Sequence, residues 1–281
     1  MSAAPFLSVR GLGVHYRDGR RRVAALHDVD FDLALGGRLA LVGESGSGKS
    51  TLALAIAGLL PENASITGTI SFPSLGAAPR PGRDLGVVFQ DPGGSLNPVL
   101  SIGDQIAEIV VVHRGVSWRA ARSIAAELLD RVRIPQAQAR LHGFPHEFSG
   151  GQRQRIAMAA ALAGEPRLLI ADEPTSALDT VVQRELVLLL DELVRERGLT
   201  LLFVTHDIAL ASELADEVAV LLGGRMVEHG PIGSVFAAPA HAYTRALLET
   251  RLDLDTPLSA RLLEIDGQTF TVRRPSEMSN G

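Results

Sequence analysis

Lys49 is the single lysine of this 281-residue chain, and it lies within Gly43-Glu44-Ser45-Gly46-Ser47-Gly48-Lys49-Ser50. Every other Lys/Arg position is arginine, so a compact ammonium has been kept at the one place where a cation must reach between phosphate oxygens. Leu39 to Val42 reads as a buried strand and Thr51 to Leu60 as an apolar helix, which puts the glycines in the turn between them. Such a turn wraps backbone N–H groups around an anion at a helix N-terminus. Ser50 offers a hydroxyl to Mg²⁺, and Thr51 adds a donor near the phosphates. The complete spacing, flanked by strand and helix, predicts a nucleoside triphosphate site rather than a chance Gly/Ser loop.

Further groups could act on that ligand. Leu168 to Ala171 predicts a strand that ends in Asp172 and Glu173; Asp172 would help hold the Mg²⁺ shell and Glu173 would orient and polarise an attacking water. Taken alone, two acids solvated at a strand end fit as well. Gln90, after Val87-Val-Phe89, could give its side-chain oxygen to the metal, or be an ordinary polar loop residue. His206, after the strand Leu201 to Val204, could bond the γ-phosphate or the water, or be a satisfied histidine at a strand end. Tyr16 could stack on adenine, the alternative being a half-buried tyrosine.

Ser149-Gly150-Gly151-Gln152 discriminates among these readings. Adjacent glycines expose N–H groups beside a serine hydroxyl, and Arg153 to Leu162 reads as a helix, so this is a second anion-binding helix start. The two starts fall in different parts of the chain. A head-to-tail dimer, each nucleotide closed between one chain's loop and its partner's Ser-Gly-Gly, is the economical arrangement.

The elements that position these groups alternate apolar runs with amphipathic helices. Leu85 to Phe89, Leu168 to Ala171, Leu201 to Val204 and Val218 to Leu222 predict buried strands, an α/β pattern with a mixed sheet. A helix is expected from about Thr180 to Arg197, with Val182, Leu186, Leu189, Leu190 and Leu193 on one face and Gly198 as its stop. Between Asn97 and Gly164 the strand signal vanishes. There Ser117 caps a helix carrying Ala121, Ile124, Ala125, Leu128 and Val132 at helical spacing, which predicts an inserted helical subdomain.

Composition sets outer limits. A chain 46% hydrophobic can bury a sizeable core, and its longest apolar runs, Leu52 to Leu60 and Ile156 to Gly164, fall well short of the roughly 18 residues of a membrane span. The N-terminus lacks a basic segment followed by an apolar one, which argues for the cytoplasm. Absence of cysteine excludes disulfides, thiolate catalysis and cysteine-held metal centres. A net charge of −5 gives no support to nonspecific nucleic-acid binding. In the basic run Arg17 to Arg22, Asp18-Gly19 signals a hairpin turn, favouring a solvated turn over a phosphate or lipid contact. His142 and His146 have metal-pair spacing, but Pro145 would interrupt the helix needed to align them.

Taken together the motifs resemble the nucleotide-binding subunit of ATP-binding cassette (ABC) transporters over about Phe6 to Phe236. Tyr16 resembles the A-loop aromatic, Gly43 to Ser50 Walker A, Gln90 the Q-loop and Ser149 to Gln152 the signature. Leu168 to Glu173 resembles Walker B, Ser176-Ala-Leu-Asp179 the D-loop and His206 the H-loop. The resemblance implies a P-loop NTPase fold of ABC type, ATP and Mg²⁺ as ligands, and hydrolysis at a dimer interface with Glu173 and His206 as catalytic groups. It further implies that Ser149 and Gly151 contact the γ-phosphate held by the opposite subunit. Partners implied are a second ABC ATPase subunit, identical or paralogous, two integral membrane permease subunits whose movement closure drives, and indirectly an extracytoplasmic solute-binding protein. The place implied is peripheral, at the cytoplasmic face of the inner membrane.

Phe89-Gln-Asp-Pro92 with Ser95-Leu-Asn-Pro98, Phe144-Pro-His-Glu147, and Pro239 to Leu248 look like the oligopeptide, dipeptide and nickel importer branch. The expected division is residues 1–238 as the nucleotide-binding domain, with a helical subdomain at about 97–164, and 239–281 as the branch's C-terminal extension. After Leu252 the chain reads as a docking appendage or a partly disordered tail. Three departures stand out: Phe148 where leucine is usual, a short Pro/Gly-rich stretch from Ile70 to Asp84, and no C-terminal cysteine cluster of the kind many peptide-importing relatives carry. A soluble ABC ATPase of translation or DNA maintenance is the alternative class; it would carry a second cassette or long coiled coils, and neither is present. A P-loop small-molecule kinase leaves Ser149 to Gln152 without a role.

Overall fold

Two long strands open the chain, β1 (Leu7–Asp18) and β2 (Arg21–Leu33), paired antiparallel with Arg17 opposite Arg22. Gly19 turns between them at φ 58°, so the Asp18-Gly19 hairpin is as expected, with Arg20 outside the described residues. The computed structural model describes residues 4–19, 21–176, 178–252, 262–265 and 268–271. The pairing of β1 slips between Val9 and Leu12 and again around Val14, and each slip resets which face an odd residue occupies. Leu7, Val9, Leu12 and Val14 are all fully buried as a result, despite their irregular spacing.

β3 (Arg38–Val42) is the predicted strand before the glycine loop, and α1 (Lys49–Ala57) follows it. The helix was expected from Thr51 to Leu60. It begins two residues earlier, so Lys49 and Ser50 form its first turn, and Gly58 ends it in a left-handed cap whose N–H reaches back to Ala55 and Leu54. β4 (Ala64–Ser71) then pairs along the free edge of β1 to complete a three-stranded sheet in the order β2-β1-β4. The short Ile70 to Asp84 stretch leaves β4, makes one 3₁₀ turn at Pro73–Leu75, and buries Phe72 edge-on against Phe6 with ring centroids 5.7 Å apart.

β5 (Leu85–Val88) enters a second, central sheet. From there the chain is helical until Gly164, as predicted: α2 (Pro92–Ser95), α3 (Ile102–Arg114), α4 (Trp118–Arg131), α5 (Ala137–Arg140), a 3₁₀ turn at Pro145–Glu147, and α6 (Gly150–Leu162). Ser101 caps α3 and Ser117 caps α4, each hydroxyl accepting from the N–H three residues on. His142 sits in a turn and His146 in the 3₁₀ turn begun by Pro145, so no shared helix aligns them. Phe148 is buried, with the Arg140 guanidinium 4.6 Å over its ring, and serves as the apolar anchor expected where leucine is usual.

β6 (Leu168–Asp172), α7 (Thr180–Arg197), β7 (Thr200–Val204), α8 (Ile208–Leu214), β8 (Glu217–Leu222) and β9 (Arg225–Pro231) complete the central sheet, ordered β5-β6-β7-β3-β8-β9. Its strands run parallel except β9, which returns antiparallel along β8. Residues alternate between cores on the two faces. Leu39, Leu41, Leu168, Ile170, Leu202, Val204, Ala219 and Leu221 join α1 and the three-stranded sheet; Leu169, Ala171, Leu201 and Phe203 join the helical insert; Ala40, Val42, Val218 and Val220 meet α8 and Tyr243. Both faces being covered explains the unbroken apolar runs from which these strands are legible.

α9 (Ile232–Ala237) and α10 (Ala242–Leu252) follow β9. Beyond Leu252, β10 (Leu262–Ile265) pairs antiparallel with β11 (Gln268–Thr271); the rest of the stretch expected to be an appendage or tail, Asp253, Asp255 and Pro257 included, lies outside the described residues. Among the described residues no helix is long and apolar enough to cross a membrane.

Candidate nucleotide site

The carboxyl ends of parallel strands β5, β6, β7 and β3 collect Gln90, Asp172, Glu173, His206 and the glycine loop along one edge of the sheet, where open α/β sheets bind ligands. After β3 the glycine loop bends sharply because two glycines permit close backbone approach. A Cβ on Gly43, at φ 151°, would sit 2.3 Å from the Leu221 carbonyl, and one on Gly48, at φ 102°, would sit 2.8 Å from that of Ala25. The Ser47 N–H donates to Glu44 O at 3.2 Å, and Gly224 N–H donates to Ser47 O at 3.0 Å, tying the loop to the turn between β8 and β9. Lys49 is buried with its Nζ inside the loop, donating to the carbonyls of Gly43 at 2.9 Å and Glu44 at 2.8 Å. Burial lowers its pKa, and the carboxylates of Glu173, Asp172 and Glu44 work against that.

Ser50, in the first turn of α1, donates its hydroxyl to Asp172 Oδ1 at 3.0 Å. Asp172 ends β6 fully within the protein, and burial raises its pKa above the usual carboxylate range despite the Ser50 hydrogen bond. A hydroxyl and a desolvated carboxylate, both hard oxygen donors, fit Mg²⁺. Glu173 follows in a left-handed conformation, φ 43°, unusual for a residue with a side chain, and its N–H is held by Val204 O at 3.0 Å. That twist turns its carboxylate to His206, whose Nδ1 lies 3.4 Å from Glu173 Oε2. His206 and then Lys49 hold Glu173 below its usual range against the effect of burial, so it stays ionised as a base must.

Tyr16, half-buried in β1, reaches α1 through its hydroxyl, 3.3 Å from Thr51 Oγ1. Gln90 stands at the end of β5, on the same sheet edge as Asp172, with its side chain in solvent.

Ser149 to Gln152 behaves differently. Ser149 caps α6 by accepting from Gln152 N–H at 3.3 Å while Gln152 Oε1 accepts from Ser149 N–H at 3.1 Å, a reciprocal capping box. Ser149 is exposed, and among the described residues no hydrogen bond joins these four residues to the glycine loop or to Asp172 and Glu173. They pack instead on the start of α7: a Cβ on Gly151 would fall 2.7 Å from Val182 Cγ1, and one on Gly150 would meet Leu178 at 3.8 Å. Asp179 caps α7 with its carboxylate; Ala177, of the stretch Ser176 to Asp179, lies outside the described residues.

Two residues near the site carried no assigned role in the sequence. Gln154, 1% exposed on α6, donates to Phe89 O at 3.2 Å and so ties the helical insert to the residue before Gln90. An amide among Ile156, Ala157 and Met158 on the buried side of α6 is the signal that could have marked it. Tyr243 is fully buried, and its hydroxyl accepts the Glu44 N–H at 2.9 Å. Only the fold brings these two together.

Comparison with known proteins agrees with this geometry. The sequence profile described as "ABC transporter" matches residues 26–176, and an AAA domain profile matches residues 144–212. A Brucella melitensis protein named "Putative peptide import ATP-binding protein" is 44% identical over 265 residues, covering 89% of this chain and 78% of its own. A Brucella abortus protein given the same description is 43% identical over 290 residues, covering 100% and 86%. Among solved structures, a dimeric ATP-binding cassette in a post-hydrolysis state bound to ADP and Pi superposes with TM-score 0.70 at 28% identity, covering 80% of this chain and 98% of that one. The cbiO1 protein of Clostridium perfringens, part of the ABC transporter complex cbiONQ, gives TM-score 0.68 at 28% identity over 90% of this chain and 96% of its own. Matches of this length, on a shared fold, make the chain a member of the ABC transporter family and an ATP-binding ATPase of that family.

Proposed function

We propose that this chain is the ATP-hydrolysing subunit of a multi-subunit importer, peripheral at the cytoplasmic face of the membrane, taking up a peptide, nickel or a related small solute. The observation that carries the reading is the separation of two phosphate-facing helix starts. One, at Gly48 and Lys49, is grouped with Asp172, Glu173 and His206; the other, at Ser149, is exposed, and among the described residues its hydrogen bonds stay within the start of its own helix. A second cassette, identical or paralogous, completes each site, with Ser149 and Gly151 on the γ-phosphate of the opposite chain's nucleotide.

Within one half-site the roles follow from position. The N–H groups from Gly43 to Thr51 and the Lys49 ammonium hold the phosphates, and Tyr16 stacks on adenine beside Thr51. Ser50, Asp172 and Gln90 hold Mg²⁺, which when bound neutralises phosphate charge. Glu173 orients and polarises the water, and His206 bonds both Glu173 and the γ-phosphate end. Hydrolysis lets the two cassettes part, and two integral membrane permease subunits follow that movement; an extracytoplasmic solute-binding protein presents the solute. Residues 1–238 act as the cassette, with the 97–164 insert as its helical subdomain, and 239–281 as the importer-type extension.

Names of the Brucella relatives support peptide over other solutes, whereas the motif Pro239 to Leu248 marks the branch as a whole, nickel importers included. The test is co-purification of the tagged chain with two membrane proteins, followed by ATPase measurement on the complex with and without its loaded solute-binding protein. Turnover stimulated by that protein is expected. A chain that hydrolyses ATP at full rate with no membrane partner recovered belongs to the soluble class instead.

A further inference from the structure

We propose that Tyr243 is a positioning residue for nucleotide binding: its buried hydroxyl, delivered by α10, holds the Glu44 N–H and fixes the glycine loop in its phosphate-receiving shape. The inference rests on the nucleotide reading above and adds a C-terminal component to that site.

Glu44 is the second residue of the loop, and each of its backbone groups is committed. Its carbonyl accepts from Lys49 Nζ at 2.8 Å and from Ser47 N–H at 3.2 Å, and its N–H has Tyr243 as its partner at 2.9 Å. A part-buried N–H deprived of its acceptor must find another or move, and moving it moves the loop. The Tyr243 side chain is 1% exposed and packs with Ala40, Val42, Val218 and Val220 beneath the loop. Burial, reinforced by the nearby Glu44 carboxylate, pushes its phenol far above the usual tyrosine range, so the oxygen remains a neutral hydroxyl.

The start of α10 is built to hold that ring still. Glu228 on β9 accepts from the N–H groups of Ala240 at 2.8 Å and His241 at 3.1 Å. His241 Nδ1 accepts from Tyr243 N–H at 3.1 Å, and Arg245 Nη1 donates to the carbonyls of Pro239 at 2.8 Å and Ala240 at 3.0 Å. The segment that looked like a branch marker in the sequence is thus a strut from β9 to the phosphate loop. A loop ordered during folding spends none of the ligand's binding energy on being ordered later.

Two substitutions in the full chain separate the hydroxyl from the ring. Tyr243→Phe removes one oxygen; Tyr243→Leu also removes ring packing. Titration with a fluorescent ATP analogue is expected to show roughly tenfold weaker binding for Tyr243→Phe, equivalent to about 1.4 kcal/mol. The change should appear in KM more than in kcat. Hydrogen exchange without nucleotide should speed up in the peptide covering residues 43–47, while the melting temperature stays near that of the parent. Tyr243→Leu should weaken binding to a similar degree and lower the melting temperature as well. Parental affinity and parental exchange in Tyr243→Phe, with losses confined to Tyr243→Leu, would make the ring mere packing and overturn the inference. If the parent itself fails to bind the analogue, the nucleotide reading falls, and the exchange measurement still judges the Tyr243 to Glu44 link.

Discussion

Asp172 and Glu173 are adjacent acids with opposite electrostatic fates. Burial raises Asp172, while His206 and Lys49 hold Glu173 down. Each fate gives a prediction. Glu173→Gln keeps the side chain's shape but removes the proposed base, so turnover should fall about 10²- to 10⁴-fold while ATP affinity is retained, as an ATPase assay beside a binding titration will show. Lys49→Ala should do the reverse: loss of a buried charge-assisted contact weakens ATP binding itself, by about 10- to 100-fold in the same titration. For Asp172 the sign follows from linkage. A carboxyl whose folded pKa is raised carries no penalty below its unfolded value of about 3.9, and the full penalty once pH exceeds the folded value. Asp172→Asn should therefore melt about 1–4 °C higher than the parent at pH 7, with the gap closing towards pH 4, and should lose ATPase activity. A lower melting temperature at pH 7 would show that Lys49 and Ser50 more than offset the cost of burying that charge.

At the scale of elements, the contact between α6 and α7 decides where the exposed Ser149 cap points. The absence of a side chain at Gly151 lets Val182 lie against it, and a Cβ there would stand 2.7 Å from Val182 Cγ1. Valine on a helix has little rotamer freedom with which to yield. Gly151→Ala should lose about 1–3 kcal/mol in denaturant unfolding, and Val182→Ala in the same chain should recover most of it, a coupling that a double-mutant cycle measures. The same scale shows what the sequence could reveal. α7 was legible from Thr180 to Arg197 because Gly198 marks its end and Val182, Leu186, Leu189, Leu190 and Leu193 mark its face, while the Asp179 cap emerges from the structure. The parallel strands of the central sheet were legible because both of their faces are buried. β1, β2, β4 and β9 lack that signature. In β1 the bulges break the period-2 pattern, and β4 is mostly exposed, with Thr and Ser where a half-buried strand would alternate apolar residues. Glu173 and His206 could be named from the sequence, yet neither their approach to 3.4 Å nor the left-handed backbone at Glu173 is encoded in any spacing. Tyr243 and Glu44 are 199 residues apart and meet only through packing.

For the whole molecule, the decisive feature is that the two helix starts proposed to face phosphate are not joined within one chain. The glycine loop, Asp172, Glu173 and His206 lie together at the sheet edge, whereas Ser149 caps a helix of the insert and faces solvent. If both halves served one nucleotide within a chain, Ser149 would have to leave its capping box and α6 would have to part from α7 across the Gly151 to Val182 contact. Pairing two chains head to tail asks for no such rearrangement. With hydrolysis blocked by Glu173→Gln, ATP should bring two chains of 29.8 kDa into one particle of twice that mass on size exclusion with light scattering. Lys49→Ala added to that chain should prevent pairing by preventing ATP binding. Ser149→Arg added instead should prevent pairing while each separate chain still binds ATP, the outcome that follows from the proposal that Ser149 serves the partner's nucleotide and not its own. Should Ser149→Arg abolish ATP binding to separate chains, both helix starts would act on one nucleotide. Should it leave pairing intact, the exposed cap would have no place in the interface.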